Sequence, residues 1–181
     1  MKLLSFRANG VASWGAVIGE GIVDLAVLSG YSTLREALEN NGLERLPALL
    51  EGASADHLLE SVELLPVIPN PPKILCIGTN YHDHRIETGR EVPERPVVFA
   101  RFANSQVAHG VPLLRPSVSE QLDFEGEIAV IIGQRGRHVL ETEAWQYIAG
   151  YAPPSVTGSA TPINGFRART SSQVAGSDLG W

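Results

Sequence analysis

Asp123, Glu125 and Glu127 alternate through the segment L-D-F-E-G-E-I-A-V-I-I-G. Residues two apart on a strand project to the same face, so a strand here would gather three carboxylates. Like charges held together are costly unless something positive lies between them. All-oxygen donors favour a hard cation, Mg²⁺, Mn²⁺ or Ca²⁺, over zinc. The competing reading is a solvated edge strand with its acids turned to water. Against it stands the run after Glu127, I-A-V-I-I-G, which is wholly apolar and reads as a buried strand.

A second cluster, N-Y-H-D-H-R-I-E, follows the apolar run K-I-L-C-I-G directly. The ends of buried strands are where reactive side chains are commonly displayed. On a helical turn His84 and Glu87 are neighbours, so the carboxylate can orient or charge-tune the imidazole for general-base work on a water. A surface helix with incidental histidines is the alternative. His82 is two positions from His84 and cannot share its face. His57, His109 and His138 lie in polar or glycine-flanked contexts and read as surface residues. Arg101 closes the apolar run V-V-F-A-R-F, where a cation either binds a substrate carboxylate or pairs structurally with the acids. Cys76, the single cysteine, sits in I-L-C-I-G and reads as a small core residue.

The elements that must position these groups fall into two units. Residues 1–65 form a small amino-terminal domain. In it Met1–Arg7 alternates as a strand, and W-G-A-V-I-G with G-I-V-D-L reads as a hairpin. Thr33 and Glu36 have capping-box spacing ahead of a helix whose apolar face carries Leu34, Ala37 and Leu38. Short helices are expected over Glu44–Leu50 and Ala55–Glu60, and Asp24 and Glu36 read as turn and cap residues. Residues 66–72 form a proline-rich connector that can be neither helix nor central strand. From residue 73 the texture becomes that of buried strands, followed by a helix over T-E-A-W-Q-Y-I-A-G with Ala144, Tyr147 and Ile148 on one side. The net charge is −6 with no basic run, and no apolar stretch reaches the ~18 residues of a membrane span. Neither a nucleic-acid nor a membrane partner is expected. With one cysteine and no leader pattern at Met1–Arg7, the expected location is the cytoplasm.

The segments K-I-L-C-I-G-T-N-Y-H-D-H-R-I-E-T-G-R-E-V-P-E-R-P-V-V-F-A-R-F and S-E-Q-L-D-F-E-G-E-I-A-V-I-I-G together resemble the fumarylacetoacetate hydrolase family. The likeness continues through G-R-H-V and I-A-G-Y, so residues 73–151 are read as the amino-terminal part of that family's catalytic domain. The resemblance implies an α+β, mostly β fold: a mixed β-sandwich roll, here incomplete, behind a small α/β amino-terminal domain. It implies Mg²⁺ or Mn²⁺, with Ca²⁺ as the other hard ion, chelating a small dicarbonyl or 2-keto acid. Glu125 and Glu127 would be metal ligands, and His84 and Glu87 an acid–base dyad on a lid. Arg101 would contact substrate, at a position where many members carry lysine. Hydrolysis, decarboxylation and isomerisation share such a site. A homodimer is implied because members commonly form one.

After Tyr151 the likeness stops. The family pattern calls for N-D and then S-x-R-D-x-Q, with the first Asp as third ligand. The chain reads A-P-P-S-V-T-G-S-A-T-P-I-N-G-F-R-A-R-T-S-S-Q instead, which has the texture of linker or disorder. Taking the last base of each codon with the first two of the next lets Pro153–Ser171 spell S-V-R-D-W-Q-R-H-T-H-Q-W-I-P-G-K-N-F. Residues 152–181 are therefore expected to be an off-frame tail on a truncated catalytic domain. A remnant of such an enzyme without turnover is the alternative to an active one.

Overall fold

The computed structural model describes residues 1–78, 80–87, 89, 91–115, 117, 123–152, 155–158, 161–163 and 166–168. Within these, the side chains of residues 84, 87, 123–126 and the last three segments are not described.

The amino-terminal unit is an antiparallel sheet. Strands β1 (Leu3–Ala8), β2 (Val11–Ile18), β3 (Gly21–Asp24), β4 (His57–Leu58) and β5 (Glu63–Leu64) take the order β4-β3-β2-β1-β5. Asn9 and Gly10, both at positive φ, close β1 onto β2 with Ala8 opposite Val11. Asn-Gly is the pair that a two-residue hairpin of this twist prefers. The expected second hairpin is present, with Ile18 opposite Gly21.

One sheet face carries Trp14, Ala16 and Val23, covered by α1 (Leu25–Ser29), α2 (Leu34–Glu39) and α3 (Leu46–Leu50). The other carries Leu4, Phe6 and Ile22 as a smaller core. The Trp14 indole, fully buried, donates to the Tyr31 carbonyl at 2.8 Å, so its polar edge is satisfied. A Cβ at Gly15 would run into the Val23 carbonyl, which leaves room there for glycine alone.

Thr33 caps α2 as the spacing predicts: its hydroxyl accepts from the Glu36 amide at 3.1 Å. Glu36 reaches back to the Ser32 amide at 2.8 Å, one residue earlier than the usual partner. Leu34, Ala37 and Leu38 are buried as expected. The helix expected over Ala55–Glu60 is instead the edge strand β4 followed by a single 3₁₀ turn, Leu59–Ser61. Pairing of His57 with Ile22 on β3 overrides local helical preference.

The proline-rich connector is docked rather than free. Ser5 Oγ donates to the Val67 carbonyl at 2.8 Å and Arg35 Nη1 to that of Asn70 at 2.9 Å. Val67 and Ile68 pack on the Trp14 core, and so does Ile131 from the second unit.

The second unit is built of antiparallel pairs. Strands β6 (Ile74–Gly78) and β7 (Val97–Arg101) pair with each other, with α4 (His82–Glu87) between them in sequence. Strand β8 (Asp123–Gly126) pairs with β11 (Ser155–Gly158), β9 (Ala129–Ile132) with β10 (Ile148–Ala152), and β12 (Thr161–Ile163) with β13 (Phe166–Ala168). Three short strands thus fall within the stretch read as a non-family tail. The chain is mostly strand with an α+β arrangement, as expected of the incomplete roll.

Two expectations need correction. The runs I-L-C-I-G and I-A-V-I-I read as strands buried on both faces, yet each is covered on one. Leu75 is 62% exposed, and Ile132 likewise 62%, while Ala129 and Ile131 face the protein. The segment Glu141–Tyr147 is a 3₁₀ helix, and Ile148 already belongs to β10.

Candidate metal and keto-acid site

Strand β8 places Asp123 and Glu125 at same-face positions, opposite Gly158 and Val156 of β11. The strand ends at Gly126, and Glu127 lies in the two-residue link to β9, half-buried. Glycine weakens a strand interior, so the period-two reading that joined all three acids breaks at this residue. The acids still fall within five consecutive positions, but on two different elements.

The donor set is oxygen only, which suits a hard divalent ion. Among the described residues no three His, Cys, Asp or Glu side chains form a metal cage. The side chains of Asp123 and Glu125 lie outside that description.

Helix α4 follows the end of β6, as the sequence predicts, and holds both His84 and Glu87. Those two side chains likewise lie outside the described set. Around them the helix is open to solvent: Tyr81, His82 and Ile86 are exposed. His82 Nδ1 lies 2.8 Å from Arg85 Nη2. The guanidinium can only donate, so this ring nitrogen accepts, and His82 is committed to its neighbour.

Arg101 ends β7 opposite Ile74, at the far end of the hairpin from Gly78, where β6 leads towards α4. At ~3.3 Å per residue the two ends are about 13 Å apart along the strands. The Arg101 guanidinium donates to the Ser105 carbonyl at 3.0 Å through Nη2. The Cys76 side chain, diagonal to it across β6 and β7, is near enough to act on its charge. Burial lowers its affinity for the proton, and the Cys76 sulfur opposes that shift. Cys76, read from sequence as a core residue, is half-buried and partnered with this arginine instead. The sequence signal was present but needed the strand register: Cys76 faces Phe99, which puts Arg101 on its diagonal.

Asp24 is a cap as predicted, accepting from the Ala26 amide at 3.0 Å and the Ser13 hydroxyl at 2.7 Å. Beside it a shallow depression of about 380 Å³ is lined by Asp24, Val27, Leu28, Asp56 and His57. Asp56 accepts from the Asp24 amide at 2.8 Å, so these acids are engaged in holding the backbone. His57, expected on the surface, is half-buried with its ring edge-on to Phe6 at 5.5 Å.

Residues 73–155 match the sequence family described as fumarylacetoacetate (FAA) hydrolase, C-terminal. The match ends four residues beyond Tyr151. Among curated relatives, the mitochondrial oxaloacetate tautomerase fahd2 of Xenopus laevis is 38% identical over 161 residues, covering 83% of this chain and 50% of the relative. The chain thus spans about half the length of the curated relatives it first matches. Among solved structures, maleylpyruvate hydrolase from Sphingobium sp. SYK-6 superposes with a TM-score of 0.76 at 24% identity, covering 95% of this chain and 65% of that one. The same enzyme in complex with manganese(II) and pyruvate gives 0.73 at 23% identity, covering 96% and 65%. These likenesses establish the fold.

Proposed function

We propose that the chain belongs to the fumarylacetoacetate hydrolase family, whose model matches residues 73–155, and that its second unit is built for divalent-metal-dependent chemistry on small 2-keto or dicarbonyl acids. The observation that carries this is the acid strand β8 with Glu127 beside it, inside the segment that matches the family. Glu125 and Glu127 would hold Mg²⁺ or Mn²⁺. When bound, such an ion supplies charge stabilisation to the oxygens of a chelated keto acid.

The chain's own residues account for the rest. Arg101 offers planar paired donors suited to a carboxylate. His84 moves a proton, at a water or at the carbon beside the carbonyl, and Glu87 one turn further on orients the imidazole. Keto–enol tautomerisation needs only such a proton transfer. Hydrolytic C–C cleavage additionally requires a placed water. The tautomerases among the relatives and the hydrolase among the structural neighbours support one reaction each.

Metal titration alongside keto-acid turnover tests the reading. His84→Ala should abolish turnover and keep the metal; Glu125→Ala should lose both. A Glu125→Ala protein that binds Mn²⁺ as wild type does would sink the assignment.

A second reading rests on one feature of the sequence: no Asp or Glu occurs between residues 152 and 177, where the family likeness expects a third metal ligand. The chain would then be a remnant with weak metal affinity and no turnover. Robust Mg²⁺-dependent turnover of oxaloacetate or an acylpyruvate by the purified chain would eliminate it.

A further inference from the structure

Arg101 is held at the end of an exposed hairpin, and a free arginine there would sample many rotamers. Two contacts limit it. Ser105, in the 3₁₀ turn Ala103–Ser105 just after β7, presents its carbonyl to Nη2 at 3.0 Å. That turn is itself fixed, because Ser105 Oγ donates to the Phe102 carbonyl at 2.6 Å and Gln106 Nε2 to the Ile68 carbonyl of the connector at 3.2 Å. The second contact is Cys76. In the β6/β7 register Ile74 faces Arg101 and Cys76 faces Phe99, so Cys76 and Arg101 are diagonal neighbours on one face. Diagonal positions on an antiparallel pair are within reach for a long side chain.

We infer that Cys76 is a positioning residue for Arg101, its sulfur and the Ser105 carbonyl together fixing the plane of the guanidinium that meets the substrate carboxylate. A guanidinium carries five N–H donors in one rigid plane, so anchoring one side aims the other. A carboxylate bound in fork geometry is sensitive to that plane in a way that a point charge is not. The inference rests on the reading of Arg101 as the carboxylate contact, and its test separates the two.

The test uses the full chain with isotope-labelled arginine. Rotation about the Arg101 Nε–Cζ bond is measured by NMR in wild type, Cys76→Ser, Cys76→Val and Cys76→Ala, with far-UV circular dichroism as the check of folding. Pyruvate affinity in the presence of Mg²⁺ is measured by calorimetry on the same proteins and on Arg101→Met. Rotation should be slow in wild type and Cys76→Ser, which keeps an acceptor, and several-fold faster in the folded Val or Ala variant. The pyruvate dissociation constant should rise about fivefold in that variant, as for loss of one ordinary hydrogen bond, and recover in Cys76→Ser. Equal rotation rates in wild type and the Val or Ala variants overturn the inference, whatever pyruvate does. Unchanged pyruvate affinity in Arg101→Met overturns the substrate role of Arg101 instead, while the rotation measurement still decides the role of Cys76.

Discussion

Glu125 and Glu127 are two residues apart and belong to different elements: Glu125 is laddered to Val156 across β8 and β11, whereas Glu127 sits past the strand's end in the link to β9. A metal ion shared between them would therefore tie the β8 pair to the β9 pair. Its binding should order the junction as well as satisfy charge.

The first prediction follows from that split. Glu125→Gln and Glu127→Gln should each weaken Mn²⁺ binding tenfold or more, since a carboxylate becomes a neutral amide in a site of few ligands, and tenfold corresponds to about 1.4 kcal/mol. Titration followed by electron paramagnetic resonance reads this directly. If Glu127→Gln binds Mn²⁺ normally, the ion does not bridge the two elements.

The second prediction concerns the scaffold. Gly15→Ala would push a methyl group into the Val23 carbonyl in the middle of the five-stranded sheet. Overpacking of this kind costs roughly 1–3 kcal/mol. Urea denaturation should show a lower midpoint with an unchanged slope. A wild-type midpoint would mean that β2 and β3 can separate at no cost.

The third prediction lies in the coding DNA. Read one base back from Pro153 to Ser171, it should spell a sequence with R-D-W-Q followed by G-K-N-F. An in-frame match to relatives continuing through this region would remove the frameshift.

Local chemistry was the legible part of this chain. The second hairpin and the Thr33 cap follow from period-two patterning and from the Thr33–Glu36 spacing, which involve residues close in sequence. The Asn9-Gly10 turn was equally local and carried its own signal. What the sequence hid is what distant pairing decides. His57–Leu58 became an edge strand because β3 offered a free edge, and Cys76 acquired Arg101 through the β6/β7 register. Burial was overread for the same reason. An all-apolar strand announces two apolar faces but cannot say whether anything covers the second, and Val130 and Ile132 stay exposed. At the candidate site, the acids and the His84–Glu87 spacing were legible as residue types. Their convergence was not, because β8 ends at Gly126 and leaves Glu127 outside the ladder that carries Asp123 and Glu125.

The pairing of β8 with β11 has one more consequence. A β ladder is made by peptide groups and is nearly indifferent to which side chains the partner brings, provided that it lacks proline. Ser155–Gly158 meets that condition, with Pro153 and Pro154 just outside it. Ser155–Gly158 can thus lie beside the acid strand and satisfy its hydrogen bonds while contributing no acidic group. Ladder and ligand set therefore answer to different demands: any strand without proline can complete the first, but only particular side chains can complete the second.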